Sequence, residues 1–393
     1  MKTSFKFLLL SLLTFSLSCN AKASKKNNVE TTEATTLNVP VLLAENQLPK
    51  KKQFIKVAIL LDTSNSMDGL IDQAKAQLWE VVNELSYARC GTDRPSLEIS
   101  IYEYGNDHLN ADEGYIRQVL QFSDDLDEIS KQLFSLTTNG GSEFCGQAIQ
   151  TSLNQLKWGT NPDDLKLIFI AGNEPFSQGK IPYADAAANA KEKDISINTI
   201  FCGDYNQGIS SYWKDGADLT NGNYMAINAN KATVHVASPY DDRILQLNIR
   251  LNGTYVSYGS KGREKMESQK DQDNNALGYS AANAVSRTIS KSSHLYKNSS
   301  WDLVDAEESE NFEYDALKPA DLPKELKGKS TPEIKKYIDT KRKERETIQN
   351  EIQELNAQRK AYVSKQKPDT NGLENAMTEA IKTQAKRKNY TWK

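Results

Sequence analysis

Residues that build redox centres and soft-metal sites are scarce in this chain: its 393 residues include four cysteines and three histidines. No two cysteines form a CxxC pair, which leaves zinc knuckles and dithiol redox motifs without support. His108, His235 and His294 stand at no metal-ligand spacing to one another, so they make no imidazole-ligated centre. There is no G-x-S-x-G elbow, the turn that presents a hydrolase serine. Gly328-Lys329-Ser330 mimics the end of a phosphate-binding loop, but Pro323 occupies the place of its first glycine and no strand precedes it. Beyond the amino terminus, no apolar run is long enough to cross a bilayer. Hydrophobic residues make up 38% of the chain, which suffices for one core but is low for a compact enzyme of this length. The net charge of −3 gives no sign of a nucleic-acid partner.

What the chain does have begins at its amino end. Lys2 and Lys6 give a positive start, and Phe7 to Phe15 is an apolar run too short to span a membrane. Ser16-Leu17-Ser18-Cys19 follows. This stretch resembles a bacterial lipoprotein box, with Ser16 where an aliphatic residue is usual. The resemblance implies that residues 1–19 are a signal peptide and that Cys19 becomes the acylated first residue. Each buried methylene of an acyl chain adds about 0.8 kcal/mol of membrane affinity. The expected location is then the cell envelope, with the protein lipid-anchored to the outer membrane on its periplasmic or surface face. The alternative is an ordinary secretory signal. Residues 20–53 are rich in Ala, Lys, Asn, Thr and Glu and read as a disordered tether.

Charge is unevenly spread. Residues 54–317 carry 22 Lys+Arg against 38 Asp+Glu, while residues 318–393 carry 19 against 11. A basic tail on an acidic body can dock on that body, reach an anionic partner, or be an ordinary solvated face. After Cys19 the cysteines are Cys90, Cys145 and Cys202. An exported chain permits one disulfide. Cys145 and Cys202 are expected at the same end of the sheet, which makes them the favoured pair.

Phe54 to Leu61 is a near-continuous apolar run, the mark of a strand buried on both faces. Met67 to Arg89 has helical spacing, and Leu97–Tyr104 and Tyr115–Phe122 read as further strands, the latter at an edge. Helices follow at 126–134 and 145–158, a second buried strand at Leu165–Ala171, and a helix at 183–193. A strand at 195–202, a helix at 210–220 and a short strand at 224–227 complete the pattern. Alternating strands and helices predict an α/β fold with a doubly wound, mostly parallel sheet. The expected division is 54–230 for this domain, 231–317 for a mostly helical extension, and 318–393 for a basic helical hairpin. Within 333–363, Ile334, Ile338, Ile348, Ile352, Leu355 and Tyr362 follow alternating 4/3 spacing, which reads as a coiled-coil seam. Pro368 to Gly372 breaks it, and a second helix over 373–388 is its expected partner.

Asp62-Thr63-Ser64-Asn65-Ser66 closes the first strand and opens a helix. One carboxylate and two hydroxyls at i, i+2 and i+4 are hard oxygen donors, suited to Mg²⁺, Mn²⁺ or Ca²⁺. The same residues are also favoured helix caps. In this context the chain resembles the von Willebrand factor A domain family, whose adhesion site begins with Asp-x-Ser-x-Ser. The resemblance covers residues 54–230. It implies a metal ion held by Asp62, Ser64 and Ser66, with Ser142 of the Gly140-Gly141-Ser142 loop supplying a further hydroxyl and Thr138 as the other option. The family's Asp after the fourth strand is missing. Asn173 or Glu174 is expected in its place, with Glu174 taken into the ligand set.

The resemblance implies a non-enzymatic protein-binding module, an adhesion or scaffold element in which an acidic side chain of a protein partner completes the metal shell. Two other readings stay open. One is a structural scaffold acting through the basic tail with a vestigial metal site. The other is a hydrolase using Glu143 with Glu174. Tyr102, Tyr104 and Tyr115 are expected to pack the sheet.

Overall fold

A computed structural model describes residues 52–230, 236–309, 311–366 and 373–392. The signal peptide, Cys19, the tether up to residue 51, His235 and the break at Pro368–Gly372 lie outside the described residues.

The first half of the chain alternates strand and helix. β1 (Phe54–Asp62) leads through a 3-10 turn at Asn65–Met67 into α1 (Asp68–Leu85), then come β2 (Ala88–Cys90), β3 (Ser96–Tyr104) and β4 (Ile116–Ser123). After α2 (Leu126–Phe134) and α3 (Cys145–Gln155) come β5 (Leu165–Gly172), α4 (Tyr183–Glu192) and β6 (Ser196–Cys202). α5 (Tyr205–Ser210), α6 (Trp213–Asp218) and β7 (Tyr224–Ile227) finish this half. The six-stranded sheet has the order β4-β3-β1-β5-β6-β7. All its pairings are parallel except β3 with β4, which is antiparallel and places β4 at the edge.

β1 is apolar throughout because both of its faces are covered. Ile55, Val57 and Leu61 belong to one packed layer with α1 and α2, while Ala58 and Leu60 belong to the layer beneath α3 and α4. β5 alternates in the same way, with Leu167 and Phe169 on one side and Ile168 and Ile170 on the other. Fully burying a side chain of this size contributes roughly 1.5–3 kcal/mol, so these two strands fix the centre of the fold. Tyr102 and Tyr104 are buried in the sheet, as packing residues should be. The expected helix over 210–220 is instead two short helices, because Tyr212 adopts φ 71° between them and interrupts the helical path.

The remaining chain is α7 (Asp241–Asn252), α8 (Gly262–Tyr279), α9 (Ala281–Lys291), α10 (Leu303–Ala306), α11 (Thr331–Ser364), α12 (Leu373–Lys386) and β8 (Tyr390–Trp392). Ser330 and Glu333 form a reciprocal cap at the start of α11. The 4/3 seam is real as a buried stripe, but its partner differs from the expected one. Ile334 and Ile338 pack with Val256, Leu303 and Val304, and Ile348 and Ile352 join the main core. α11 lies on α7, α9 and α10, whereas α12 lies on α1 and the β5 side of the sheet. The two helices therefore serve separate parts of the body rather than zipping together as a hairpin. β8 adds a small antiparallel pairing with β2.

Of the three options for the basic tail, the structure takes docking on its own body. Arg359 binds Asp241 at 2.9 Å, Lys382 binds Glu84 at 2.6 Å, and Lys388 binds Asp194 at 2.6 Å. The deepest contact is Arg345, which bridges Asp302 and Asp305 at 2.8 Å each and donates to the Thr254 carbonyl at 2.9 Å. Its guanidinium also sits 4.2 Å from the centre of the Tyr255 ring.

The expected Cys145–Cys202 disulfide is not formed; Cys90, Cys145 and Cys202 are free thiols. Cys145 packs in the layer beneath α3 and α4, and Cys202 packs against the layer on the opposite side. The sheet separates them, although both stand at its carboxyl end.

Arg345→Ala leaves the fully buried Asp302 without its countercharge. The expected loss is about 3–5 kcal/mol, read as a lower urea midpoint. Lys343→Ala, which removes an exposed pairing with Asp339, is expected to change stability by less than about 1 kcal/mol.

Candidate metal centre

The carboxyl ends of β1 and β5 form the floor of the site, as expected for ligand sites in a parallel sheet. Asp62 is the last residue of β1 and is fully buried. Its Oδ1 accepts the Ser64 N–H at 2.8 Å. Its Oδ2 is buried and receives no hydrogen bond. Ser64 and Ser66 stand with their hydroxyls 3.2 Å apart. Ser64 occupies the N-cap position of the 3-10 turn, yet its side chain caps no backbone N–H. Helix capping therefore does not account for the hydroxyls, and they remain free to face a ligand.

The opposite wall comes from the loop before α3. The sequence reading placed Ser142 there, and Ser142 is half-buried in that loop. The side chain that enters the site is that of the next residue, Glu143, which is 5% exposed. Its carboxyl meets that of Asp62, and the Ser64 hydroxyl stands within reach of both. Glu143 Oε2 is also buried without a hydrogen bond. Thr138, the other hydroxyl considered, is committed elsewhere: it donates to the Asp68 carboxylate at the start of α1.

The third wall is the turn after β5. Asn173 Nδ2 donates to Ser66 Oγ at 3.1 Å, which places Asn173 at the edge of the site. Glu174 is exposed and accepts from Gln178 Nε2 at 3.1 Å. The turn is pinned by Trp213 Nε1, which donates to the Glu174 carbonyl at 2.8 Å. Asn173 thus takes the inner position that the sequence reading assigned to Glu174. The proposed pairing of Glu143 with Glu174 is not made either, because Glu143 faces Asp62.

Glycines make this geometry possible. Gly105 has φ 78°, and a Cβ there would lie 2.7 Å from Glu143 Cγ and 2.8 Å from Asp62 Oδ1. A Cβ at Gly141 would meet the Gly105 carbonyl at 2.0 Å. Gly105 leaves the space between the two carboxyls open, and Gly141 lets the loop before α3 close against the Gly105 backbone.

Electrostatics follow from burial. Desolvation raises the pKa of both carboxyls, and the negative charge of Asp62 pushes Glu143 further up. The charged groups that act most strongly on the pair are each other and Glu174, all acidic. The amino ends of α1 and α3 open beside the pair and favour negative charge there. Among the described residues no cluster of three or more His, Cys, Asp or Glu gathers as a metal site. The donor set is instead mixed: two carboxyls and two hydroxyls, all oxygen. Two buried carboxylate oxygens without hydrogen bonds, in a cradle that a single Cβ would fill, fit a small hard cation.

Sequence reasoning missed Glu143 as the inward residue. The signal was present in its position two residues before a helix and directly after Gly140-Gly141-Ser142, but spacing alone does not say which of two neighbours turns in.

Comparison with known proteins places the domain. The family model for the von Willebrand factor type A domain matches residues 56–236. No curated protein matches the chain. Among solved structures, the conserved hypothetical protein BatB from Bacteroides thetaiotaomicron overlaps at 16% identity and TM-score 0.34, covering 44% of this chain and 90% of that one. A von Willebrand factor type A protein from Catenulispora acidiphila overlaps at 18% identity and TM-score 0.33, covering 44% of this chain and 39% of that one. Proximal thread matrix protein 1 from the mussel byssus, with a zinc-occupied MIDAS motif, overlaps at 11% identity and TM-score 0.34, covering 46% and 43%.

Gly105→Ala forces a Cβ into the cradle at a left-handed backbone position. Backbone strain alone is expected to lower stability by about 1–2 kcal/mol, measured by urea unfolding.

Proposed function

From the match of residues 56–236 to the von Willebrand factor type A model we propose that this chain is a metal-dependent protein-binding module of the bacterial cell envelope. Domains of this family commonly act as metal-dependent interaction modules. One observation carries the reading for this chain: a buried carboxylate oxygen of Asp62 without a hydrogen bond stands beside the Ser64 and Ser66 hydroxyls, which cap nothing. Asp62, Ser64 and Ser66 hold the ion, for which Mg²⁺, Mn²⁺ or Ca²⁺ suits the oxygen donors. When bound, the ion offers a Lewis-acidic position to an anionic oxygen. Ser66 is exposed, so an acidic side chain of a protein partner could reach an ion held by these residues. The site's work is recognition rather than catalysis.

The basic tail is the weaker candidate for partner binding, since its deepest cations are already engaged with Asp302, Asp305, Asp241 and Glu84. Attachment to the envelope rests on the acylation expected at Cys19. Among the described residues no helix is long and apolar enough to cross a membrane.

Millimolar Mg²⁺ or Mn²⁺ is expected to raise the melting temperature of the wild type, and chelator to remove the gain. An ion present at 100 times its dissociation constant contributes about 2.7 kcal/mol. Asp62→Ala is expected to abolish the gain while the apo protein still melts cooperatively. An unchanged wild-type melting temperature with either ion would remove the metal from the reading. A pull-down from native membranes with and without chelator tests the partner: capture that ignores chelator contradicts metal dependence.

A further inference from the structure

We infer that Glu143 is a direct ligand of the divalent ion, a second carboxylate standing in for the acidic residue that is missing at 171–173. The inference rests on the metal reading above and goes beyond its Asp62, Ser64 and Ser66 set.

Six carboxyl side chains are fully buried among the described residues: Asp62, Glu103, Asp127, Glu143, Asp164 and Asp302. Four have evident compensation. Glu103 pairs with Arg117 at 2.6 Å, Asp127 with Arg287 at 2.8 Å, and Asp302 with Arg345 at 2.8 Å. Asp164 accepts from the Phe54 N–H and the Asn161 amide, each at 3.0 Å. Asp62 and Glu143 are the exceptions. Each keeps one buried oxygen without a hydrogen bond, they face each other, and the charged residue nearest in effect is another acid, Glu174. A buried carboxylate without a countercharge is costly, and two side by side are more so. A divalent cation between them supplies the two positive charges that the chain itself does not.

The backbone is arranged for this approach rather than against it. Gly105 clears the space in which the two carboxyls meet, and Gly141 allows the loop that carries Glu143 to pack against the Gly105 carbonyl. Asp62 comes from the end of β1 and Glu143 from the loop before α3, so an ion held by both ties these two loops together. Two carboxylates neutralise a divalent ion and overcompensate a monovalent one, so the site selects for charge +2. The amino end of α3, two residues beyond Glu143, favours a further anionic oxygen, the one assigned to the partner.

The test is titration with Mn²⁺ alone, free ion read by electron paramagnetic resonance, on wild type, Glu143→Gln, Glu174→Gln and Asp62→Ala, with apo melting temperatures alongside. Glu143→Gln is expected to weaken Mn²⁺ at least tenfold and Glu174→Gln less than threefold. The apo melting temperature of Glu143→Gln should match or exceed that of wild type, because the amide fills the same space and brings no charge beside the buried Asp62; a residue with a purely structural role would lower it. Wild type that binds Mn²⁺ while Glu143→Gln binds equally well overturns this inference and leaves the metal reading standing. Loss on Glu174→Gln instead of Glu143→Gln overturns it as well. Wild type that binds no Mn²⁺ removes the metal reading and this inference with it.

Discussion

Burial of β1 on both faces is the constraint from which the rest of this structure follows. A strand with apolar side chains above and below needs cover on both faces, and β1 has β3 and β5 parallel beside it with α1 on one side and α3 on the other. The chain can leave such a strand only at its carboxyl end. There the polar residues Asp62 to Ser66 emerge into a space already walled by the loops before α3 and after β5. The site is a consequence of how β1 ends rather than an addition to the fold.

The molecule handles buried charge in two ways. Where the second half of the chain meets the first, acids are matched by fixed cations. Arg287 contacts Asp127 on α2 and Asp273 on α8, Lys291 contacts Asp273 at 2.9 Å, and Arg345 joins α11 to Asp302 and Asp305. Every acid in these networks has a countercharge, and Asp273 is held well below the ordinary carboxylate range by Lys291 and Arg287 despite its burial. At the carboxyl end of β1 the acids face only each other. Charge-matched networks weld helices together; a pair of acids without a cation is left able to take a ligand. The contrast between the two sets identifies the site more sharply than any one residue does.

The helical region also changes character once its contacts are seen. An amphipathic seam in isolation says only that one face of α11 must be buried. In this chain the face is covered by α7, α9 and α10, and α12 covers α1, so the C-terminal helices complete the core of the α/β domain. Part of the tail charge, conspicuous in the sequence, holds these helices down through Arg342, Arg345, Arg359, Lys360, Lys382 and Lys388. This shifts attention from the tail to the rim around Ser66 and Asn173 as the surface where recognition happens.

Strong periodicity made most of the fold legible in the sequence. β1 and β5 declare themselves as continuous apolar runs, α2 and β7 fall where local pattern puts them, and Asp62, Ser64 and Ser66 stand at a strand end that places them together whatever the distant packing. These features depend on neighbours in the chain, and the sequence by itself determined them. Other features depend on partners far along the chain, and only the tertiary structure decided those. β2 is three residues long and pairs with β8 some three hundred residues later, so it has no local signature. The seam of α11 could not name its partner. Cys145 and Cys202 share an end of the sheet, but only the packed layers show that they lie on opposite faces. At the site, the choice of Glu143 over Ser142 and of Asn173 over Glu174 turns on a rotation of one residue within a loop. For Glu143 the room is left by Gly105, a residue nearly forty positions earlier in the chain, which no local pattern encodes.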